Sequence, residues 1–259
     1  MPSSTRLLFA TACVTGLMTS HALAGAWPQE AGKTQAITTV TVSRATDEFD
    51  DNGSSRSTSR FRKESVELYG EFGIDDETTL ITKIEVSNLH PEPPAQSATG
   101  FGNTEIGVRR VIWNDDDQIF SLQASALLPG RSLLTSEGTD AELRALYGYT
   151  FPLFGYPSYI DAELAYRLRT NGYKDEIRPD LTLGIRTSRN WLLLLQSLNV
   201  FSSGDGSNLA YQGRQHKLQL SAVRRLTDSV SFQFGGFATV AGSRTPAERA
   251  VIAAIWVNF

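Results

Sequence analysis

From about residue 34 onward the chain alternates apolar and polar positions. The stretch "SVELYGEFGI" sets Val66, Leu68, Gly70, Phe72 and Ile74 on one face and Glu67, Tyr69, Glu71 and Gly73 on the other. Residues two apart share a face only in an extended strand, so this period is that of β-structure and not of a helix. The next run, "LITKIEVS", opposes Leu80, Thr82, Ile84 and Val86 to Ile81, Lys83, Glu85 and Ser87, and the polar "DDE" between the two runs closes a hairpin.

The same alternation predicts twelve strands, at about 34–43, 60–73, 78–88, 102–113, 118–128, 139–151, 158–169, 177–187, 190–201, 213–226, 229–241 and 247–259. Their connections fall into two kinds that alternate along the chain. Five are short: "DDE" after Ile74, "NDDD" at Asn114, the corner from Pro152 to Pro157, "SRN" near Ser188, and "TD" at Thr227. The others are mostly longer and more polar, at 44–59, 89–100, 129–138, 170–176 and 202–212, with a shorter one at 242–246. Short turns at one end and long loops at the other are the layout of an outer-membrane barrel. An even strand count then places both termini on the short-turn, periplasmic side.

A soluble sandwich or a lipocalin-like barrel alternates as well, because parity alone does not say which face is the inside. The features that favour an apolar exterior are the strand lengths of about ten residues or more, the character of the two chain ends, and the placement of aromatic rings. Phe72, Phe120, Phe151, Phe232 and Phe259 share the apolar parity of their strands and gather beside the short turns, as an interfacial girdle does. The expected fold is therefore all-β: a twelve-stranded antiparallel transmembrane β-barrel with short periplasmic turns and longer extracellular loops. No apolar run approaches the roughly 20 residues of a membrane-spanning helix. That does not exclude a membrane, since a closed barrel also satisfies its backbone internally.

The opposite parity assigns a set of charged residues to the lumen: Glu67, Glu71, Lys83, Glu85, Glu105, Arg109, Glu142, Arg144, Asp161, Glu163, Arg167, Arg169, Asp180, Arg186, Lys217 and Arg225. Two readings compete. Arg144, Arg167, Arg169, Arg186 and Arg225 form a basic track for an anionic or polar solute, or Glu67, Glu71, Glu85, Glu142, Asp161 and Glu163 neutralise them in a structural network. The near balance of signs favours the network, and a weakly selective pore is compatible with either. In "TEIGVRRVIW", Arg110 falls on the lipid-facing parity. A charge there costs roughly 2 to 4 kcal/mol at mid-membrane and little near an interface, so either Arg110 lies toward a rim or a bulge shifts the register.

Composition adds an export signal. Arg6, an apolar stretch from Leu7 to about Met18, and the small-residue site Ala22-Leu23-Ala24 together read as a secretory signal peptide over residues 1–24, cleaved before Gly25. Residues 25–259 form a single barrel domain. The chain's one cysteine, Cys13, lies within the signal, where a lipoprotein box is lacking, and the formal charge moves from −4 to −5 when Arg6 is removed. An exported chain without disulfides suits a bacterial envelope better than a small stapled scaffold. Interspersed charges of both signs give no reason to expect nucleic acid.

The signal followed by "GAWPQEAGK", the strand "GFGNTEIGVRRVIW", the successive hairpins and the aromatic terminus resemble the outer-membrane family named for the meta-pathway of phenol degradation. The resemblance runs loosely over most of residues 25–259 and implies a barrel with a channel or transporter role. It rests on pattern, not on catalytic signatures, and carries no functional residue across.

Other candidate chemistry is sparse. Asp47, Glu48, Asp50, Asp51 and Asn52 in "TDEFDDNGSS" offer oxygens to a hard cation but lack calcium-loop spacing, so a solvated loop is the better reading and no metal is expected. "SSGDGSN", 202–208, has no strand-to-helix context for a phosphate cradle. A barrel hydrolase needs a nucleophile and a histidine base. Only His90 and His216 are available outside the signal, with Ser202 or Ser203 near the latter, and no catalytic signature surrounds either. The reading is thus a channel or transporter for small solutes and not an enzyme, with a non-transport structural or surface-interaction barrel as the alternative. No cofactor is needed. The expected partners are outer-membrane lipids, the barrel-assembly machinery and an unidentified small solute. The last strand, "VIAAIWVNF", must pair with the first to remove the final open edge, and its terminal Phe259 reads as a signal for that machinery.

Overall fold

The structure is a computed structural model that describes residues 25–94, 96–130, 138–170, 172–203 and 213–259. The predicted signal peptide with Cys13 lies outside them, as do residues 204–212 of the "SSGDGSN" connection and residues 131–137. The strands are β1 (Thr34–Phe49), β2 (Ser55–Gly73), β3 (Thr78–Pro91), β4 (Ala98–Phe101), β5 (Thr104–Asn114), β6 (Gln118–Leu128), β7 (Asp140–Leu153), β8 (Tyr156–Leu168), β9 (Asp175–Ser188), β10 (Trp191–Ser203), β11 (Arg214–Arg225), β12 (Val230–Ser243), β13 (Thr245–Pro246) and β14 (Arg249–Asn258).

Twelve of these form a closed antiparallel ring in which each long strand pairs with its neighbours in sequence. β4 and β13 are short additions at the extracellular end, on β3 and β1 respectively. The seam is β1 against β14, in register from Gln35 opposite Asn258 to Arg44 opposite Arg249. Thr34 and Phe259 exchange backbone hydrogen bonds of 2.8 and 3.0 Å at its periplasmic end. Closure leaves no open edge, the condition under which strands can cross a bilayer. None of the described residues forms a helix long and apolar enough to cross a membrane.

The faces settle the direction that parity left open. Val66, Leu68, Leu143, Leu164, Leu220 and Val251 are 47 to 64% exposed on the outer wall, whereas Gln35, Thr79 and Ser121 are fully buried and Arg109, Glu71 and Asp161 nearly so. The barrel is inside-out relative to a soluble one, apolar outside and polar within. Phe72, Phe232 and Phe259 are exposed at the short-turn rim. Stacked pairs Tyr149–Phe151 and Phe232–Phe234 continue the girdle at centroid distances of 5.6 and 6.3 Å.

Several predicted boundaries move. The expected loop at 44–59 is largely strand, since β1 runs on to Phe49 and β2 starts at Ser55 with a register shift between Ala45 and Asp47. Asp50 closes the short tip by accepting from the amides of Asn52 and Ser54 at 2.8 and 2.9 Å. Polar composition misled here, because a hairpin projecting above a membrane is solvated on both faces and needs no apolar positions. The predicted corner from Pro152 to Pro157 shrinks to a two-residue turn, Phe154 and Gly155, both with positive φ as a tight hairpin twist demands. The strand predicted at 102–113 is β5, starting at Thr104, while β4 lies before it, almost wholly in the stretch expected as the 89–100 loop.

Arg110 resolves as a rim residue. It stands opposite Thr78 at the first residue of β3 and donates to Glu77 of the adjacent turn at 3.1 Å. The register shift in this strand falls later, between Val111 and Trp113. The β9–β10 ladder lapses between the pairs Leu181–Ser197 and Ile177–Phe201, where Pro179 has no amide to donate. Asn199 bridges the gap: its side-chain amide donates to the Pro179 carbonyl at 2.5 Å, and its backbone amide donates to Asp180 at 2.8 Å.

Candidate functional site

The lumen is the candidate site, and its first feature comes from a stretch with no strand or helix pattern. Residues 25–30 of "GAWPQEAGK" lie inside the short-turn end of the barrel. Ala26 is wholly buried; its amide donates to Asp161 on β8 at 3.1 Å and its carbonyl accepts from Ser121 on β6 at 2.6 Å. The Trp27 carbonyl accepts from Arg109 on β5 at 2.8 Å. The amide of Gln29 donates to Thr79 on β3 at 3.0 Å, and its side chain donates to Glu71 on β2 at 3.3 Å. The segment thus borrows partners from five strands, which supplies the bonds that an irregular backbone lacks within itself.

Trp27 provides the apolar anchor. Its indole meets the Tyr159 ring edge-on at a centroid distance of 5.5 Å. With Ala26 it packs on Ile119, Leu146 and Val111, one inward apolar patch; a second gathers Ile37, Tyr159, Leu192, Leu194, Val223, Ala254 and Trp256, and Trp27 packs against that one as well. The space for the indole exists because β7 carries glycine at 148: a Cβ there would fall 2.6 Å from Trp27 Cη2 and 2.8 Å from Ile119 Cγ2. This plug was not foreseen. The only signals for it were a lone tryptophan before the first strand and an inward glycine, neither of which has a period.

The parity-derived charges come together in pairs across neighbouring strands. Arg109 and Glu71 are almost completely buried and meet at 3.0 Å, with Tyr69 donating to the same carboxylate at 2.5 Å. On β7 to β9, Glu142 holds Arg144 at 2.8 Å, Arg167 at 2.7 Å and Arg178 at 3.9 Å. Arg144 also bonds Glu163 and lies 3.5 Å from Asp180. Arg167 is 3.9 Å from Glu176, and Arg169 is 2.5 Å from Glu176 and 3.4 Å from Asp140. Across β2, β3 and β5, Lys83 lies 3.7 Å from Glu105 and 4.0 Å from Glu67, and Lys63 pairs with Glu85 at 2.8 Å. Lys217 pairs with Glu248 at 2.8 Å, which Ser43 also contacts.

Arg144, Arg167 and Arg169 therefore each face carboxylates. Arg225 donates to Asp228 in a short turn at 2.5 Å. Arg186 borders a small cavity beside it, with Trp256 and Asn258. Buried charges of this kind are retained at a desolvation cost that only close partners offset. Arg178, Asp140 and Glu176 belong to the network around Glu142, Lys63 and Glu248 to separate pairs, and none of the five was singled out from the sequence. Arg178 and Glu176 share the parity of Asp180, so that signal was available.

The other arc of the lumen is less charged. A cavity of about 340 Å³ lies between the plug and the wall of β1, β2, β8 to β12 and β14, lined about equally by hydroxyls and amides such as Thr39, Thr41, Thr182, Gln196 and Gln219 and by apolar side chains such as Ile37, Leu194, Phe237, Ile252 and Trp256. Glu67, Asp161 and Glu163 border it, as do Gly25 of the plug and the rings of Tyr69 and Tyr159.

His216 contacts Asn199 at 2.9 Å and stands edge-on to Phe201 at 5.0 Å, and Ser202 donates to the Gly213 carbonyl at 3.0 Å. His90 contacts Ser97 at 3.1 Å. Glu48 pairs with Arg56 and Asp51 with Arg244. Among the described residues no group of three or more His, Cys, Asp or Glu side chains is placed to hold a metal ion.

A closed ring of twelve antiparallel strands, with an apolar exterior, an aromatic rim and a charge-paired interior, is an outer-membrane-type β-barrel. Solved structures share this fold. The COG4313 outer membrane channel from Pseudomonas putida F1 superposes with a TM-score of 0.70 at 11% identity, over 93% of this chain and 100% of that one. The translocator domain of the autotransporter NalP from Neisseria meningitidis gives 0.55 at 11% identity, over 89 and 90% of the two chains. The transport unit of the autotransporter AIDA-I from Escherichia coli gives 0.51 at 10% identity, over 89 and 91%. No family model and no curated protein matches the sequence.

Proposed function

We propose that this protein is a passive channel of the bacterial outer membrane, of the kind found in the phenol-degradation meta-pathway family, admitting small solutes past a plug made by its own N-terminal segment. The observation that carries this reading is the lumen itself. A cavity of about 340 Å³ with a mixed polar and apolar lining adjoins a plug whose residues 25–30 lie in no strand, with an isolated bridge from Ala31 to Gly73 just beyond them. Solutes enter from the extracellular end, meet the hydroxyl and amide arc, and pass once the plug shifts. The paired arginines and carboxylates keep the opposite arc rigid and leave little net field, so selectivity between small anions and cations is weak.

This reading includes removal of residues 1–24 before Gly25. Gly25 is pressed so closely on β8 that a Cβ would fall 1.9 Å from Asp161 Oδ2, and the next amide donates to that same carboxylate. A terminus freed at this position places an ammonium group against Asp161 and fastens the plug by charge as well as by hydrogen bonds. Intact mass of the exported protein tests the cleavage site, and a start elsewhere removes the latch from the scheme.

The function is tested by planar-bilayer conductance of the exported protein beside a form lacking residues 25–30. Small, fluctuating conductance for the intact chain and a larger, steadier one for the shortened chain are expected, with a reversal potential near zero in a salt gradient. Silence from both forms refutes the channel, and a strong anion preference restores the arginine track.

A further inference from the structure

The outer wall carries a basic groove at its extracellular end that transport through the lumen does not use. Arg44 on β1 stands directly opposite Arg249 on β14 and Arg62 on β2. Side chains so opposed point to the same face. Val40 and Val251, on the same parity as Arg44 and Arg249, are 46 and 64% exposed, so that face is the outside of the barrel.

Like charges in opposed positions repel unless an anion lies between them. Arg62 is answered by Glu64 at 2.6 Å. Arg44, Arg60 and Arg249 have no carboxylate within ion-pair distance among the described residues, and all three line a groove of about 690 Å³. Asp47 also borders it, with its carboxylate taken up by the hydroxyls of Thr46 and Ser57 at 2.8 and 3.4 Å. Within the groove three positive charges thus face one negative, and the Glu92 carboxylate beside it accepts from the Arg60 backbone amide at 3.2 Å.

The height of the groove identifies its surroundings. Arg62 lies ten residues along β2 from Phe72 of the aromatic rim, and Arg249 ten residues from Phe259. Ten residues span about 34 Å of strand, or about 26 Å along the membrane normal at a tilt near 40°, which matches the apolar band of roughly 25 Å in such barrels. The arginines therefore sit at the headgroup level of the outer leaflet. Just below them Val40, Val42, Val66 and Val86 give a groove of about 310 Å³ its apolar surface, with Glu64, the partner of Arg62, and Asn88 and Thr99 at its border.

We propose that the two grooves form one lipid site, in which Arg44, Arg60 and Arg249 hold the phosphate of an outer-leaflet lipid headgroup and the valines take an acyl chain. Guanidinium forks suit phosphate oxygens, and a bound phosphate removes the repulsion between opposed arginines. A free anion fits the upper groove alone; the valine groove argues for lipid.

The test is native mass spectrometry of the exported protein in detergent, titrated with diphosphorylated lipid A, with the same lipid after enzymatic dephosphorylation, and with inorganic phosphate. The unaltered protein should retain the phosphorylated lipid roughly 100-fold more tightly than the dephosphorylated one, at about fivefold per arginine. The variant carrying Arg44→Gln, Arg60→Gln and Arg249→Gln should lose that preference, and Arg56→Gln, at a cation paired with Glu48, should keep it. Equal retention of the two lipids by the unaltered protein overturns the proposal and needs no variant. So does complete displacement of the lipid by equimolar inorganic phosphate, which marks a free-anion site.

Discussion

A side chain at position 148 is the sharpest probe of the plug. Gly148→Val leaves the β7 backbone and every plug residue in place, yet its Cβ would lie 2.6 and 2.7 Å from two indole carbons of Trp27 and 2.8 Å from Ile119 Cγ2. The strand cannot yield, because residue 148 is paired on both sides, with Ile119 on β6 and Asp161 on β8. The indole is the element free to leave. Overpacking of this kind costs about 1 to 3 kcal/mol, and here the cost falls on the docked state of the plug. The ratio of undocked to docked chains should therefore rise by roughly 5- to 150-fold.

The assay exploits the absence of cysteine after residue 13. Ala26→Cys puts a thiol at a wholly buried plug position, and its labelling rate by a water-soluble maleimide reads the undocked fraction. Adding Gly148→Val should raise that rate by the same factor and increase single-channel conductance, while the barrel keeps its heat-modifiable gel mobility. Labelling that stays slow in the double variant would refute the account of Trp27 as the plug's anchor.

Two further outcomes follow from the pairs and the seam. Arg109→Met or Glu71→Gln alone leaves a buried charge without its partner and should destabilise the barrel or plug by about 3 to 5 kcal/mol, whereas the double change should cost far less; denaturation followed by tryptophan fluorescence measures the cycle, and additive losses would contradict the pairing. Phe259→Ala keeps the two backbone bonds to Thr34 and removes only the terminal ring, so assembly should slow in cells while stability of the folded barrel stays nearly unchanged; equal insertion rates would remove Phe259 from the assembly signal.

How much was legible beforehand differs by element. The strand ends that flank "DDE" and "NDDD" were readable to within a residue, because apolar alternation and turn chemistry coincide there. β1 beyond Ser43 was not, and with it went the arginine groove: Arg44, Arg60 and Arg249 looked like loop or strand-end residues until the register set them on one outer face. The inward charges followed from parity, but their partners did not. Glu142 and Arg167 lie on different strands, and only the β7–β8 register makes them opposite one another.

The sequence by itself determined what is local and periodic: extended strands, their even number, the alternation of short and long connections, and which residues share a face. These follow from backbone geometry within ten or so residues. The tertiary structure decided what depends on distant contacts. Parity has no sign until the ring closes and shows which face meets its own strands. The plug has no period, since its bonds reach from Ala26 to Ser121 and Asp161 and exist only inside a finished barrel. The outer arginines acquire a common address only when β2, β1 and β14 lie side by side, because electrostatic repulsion and phosphate binding both depend on separation in space.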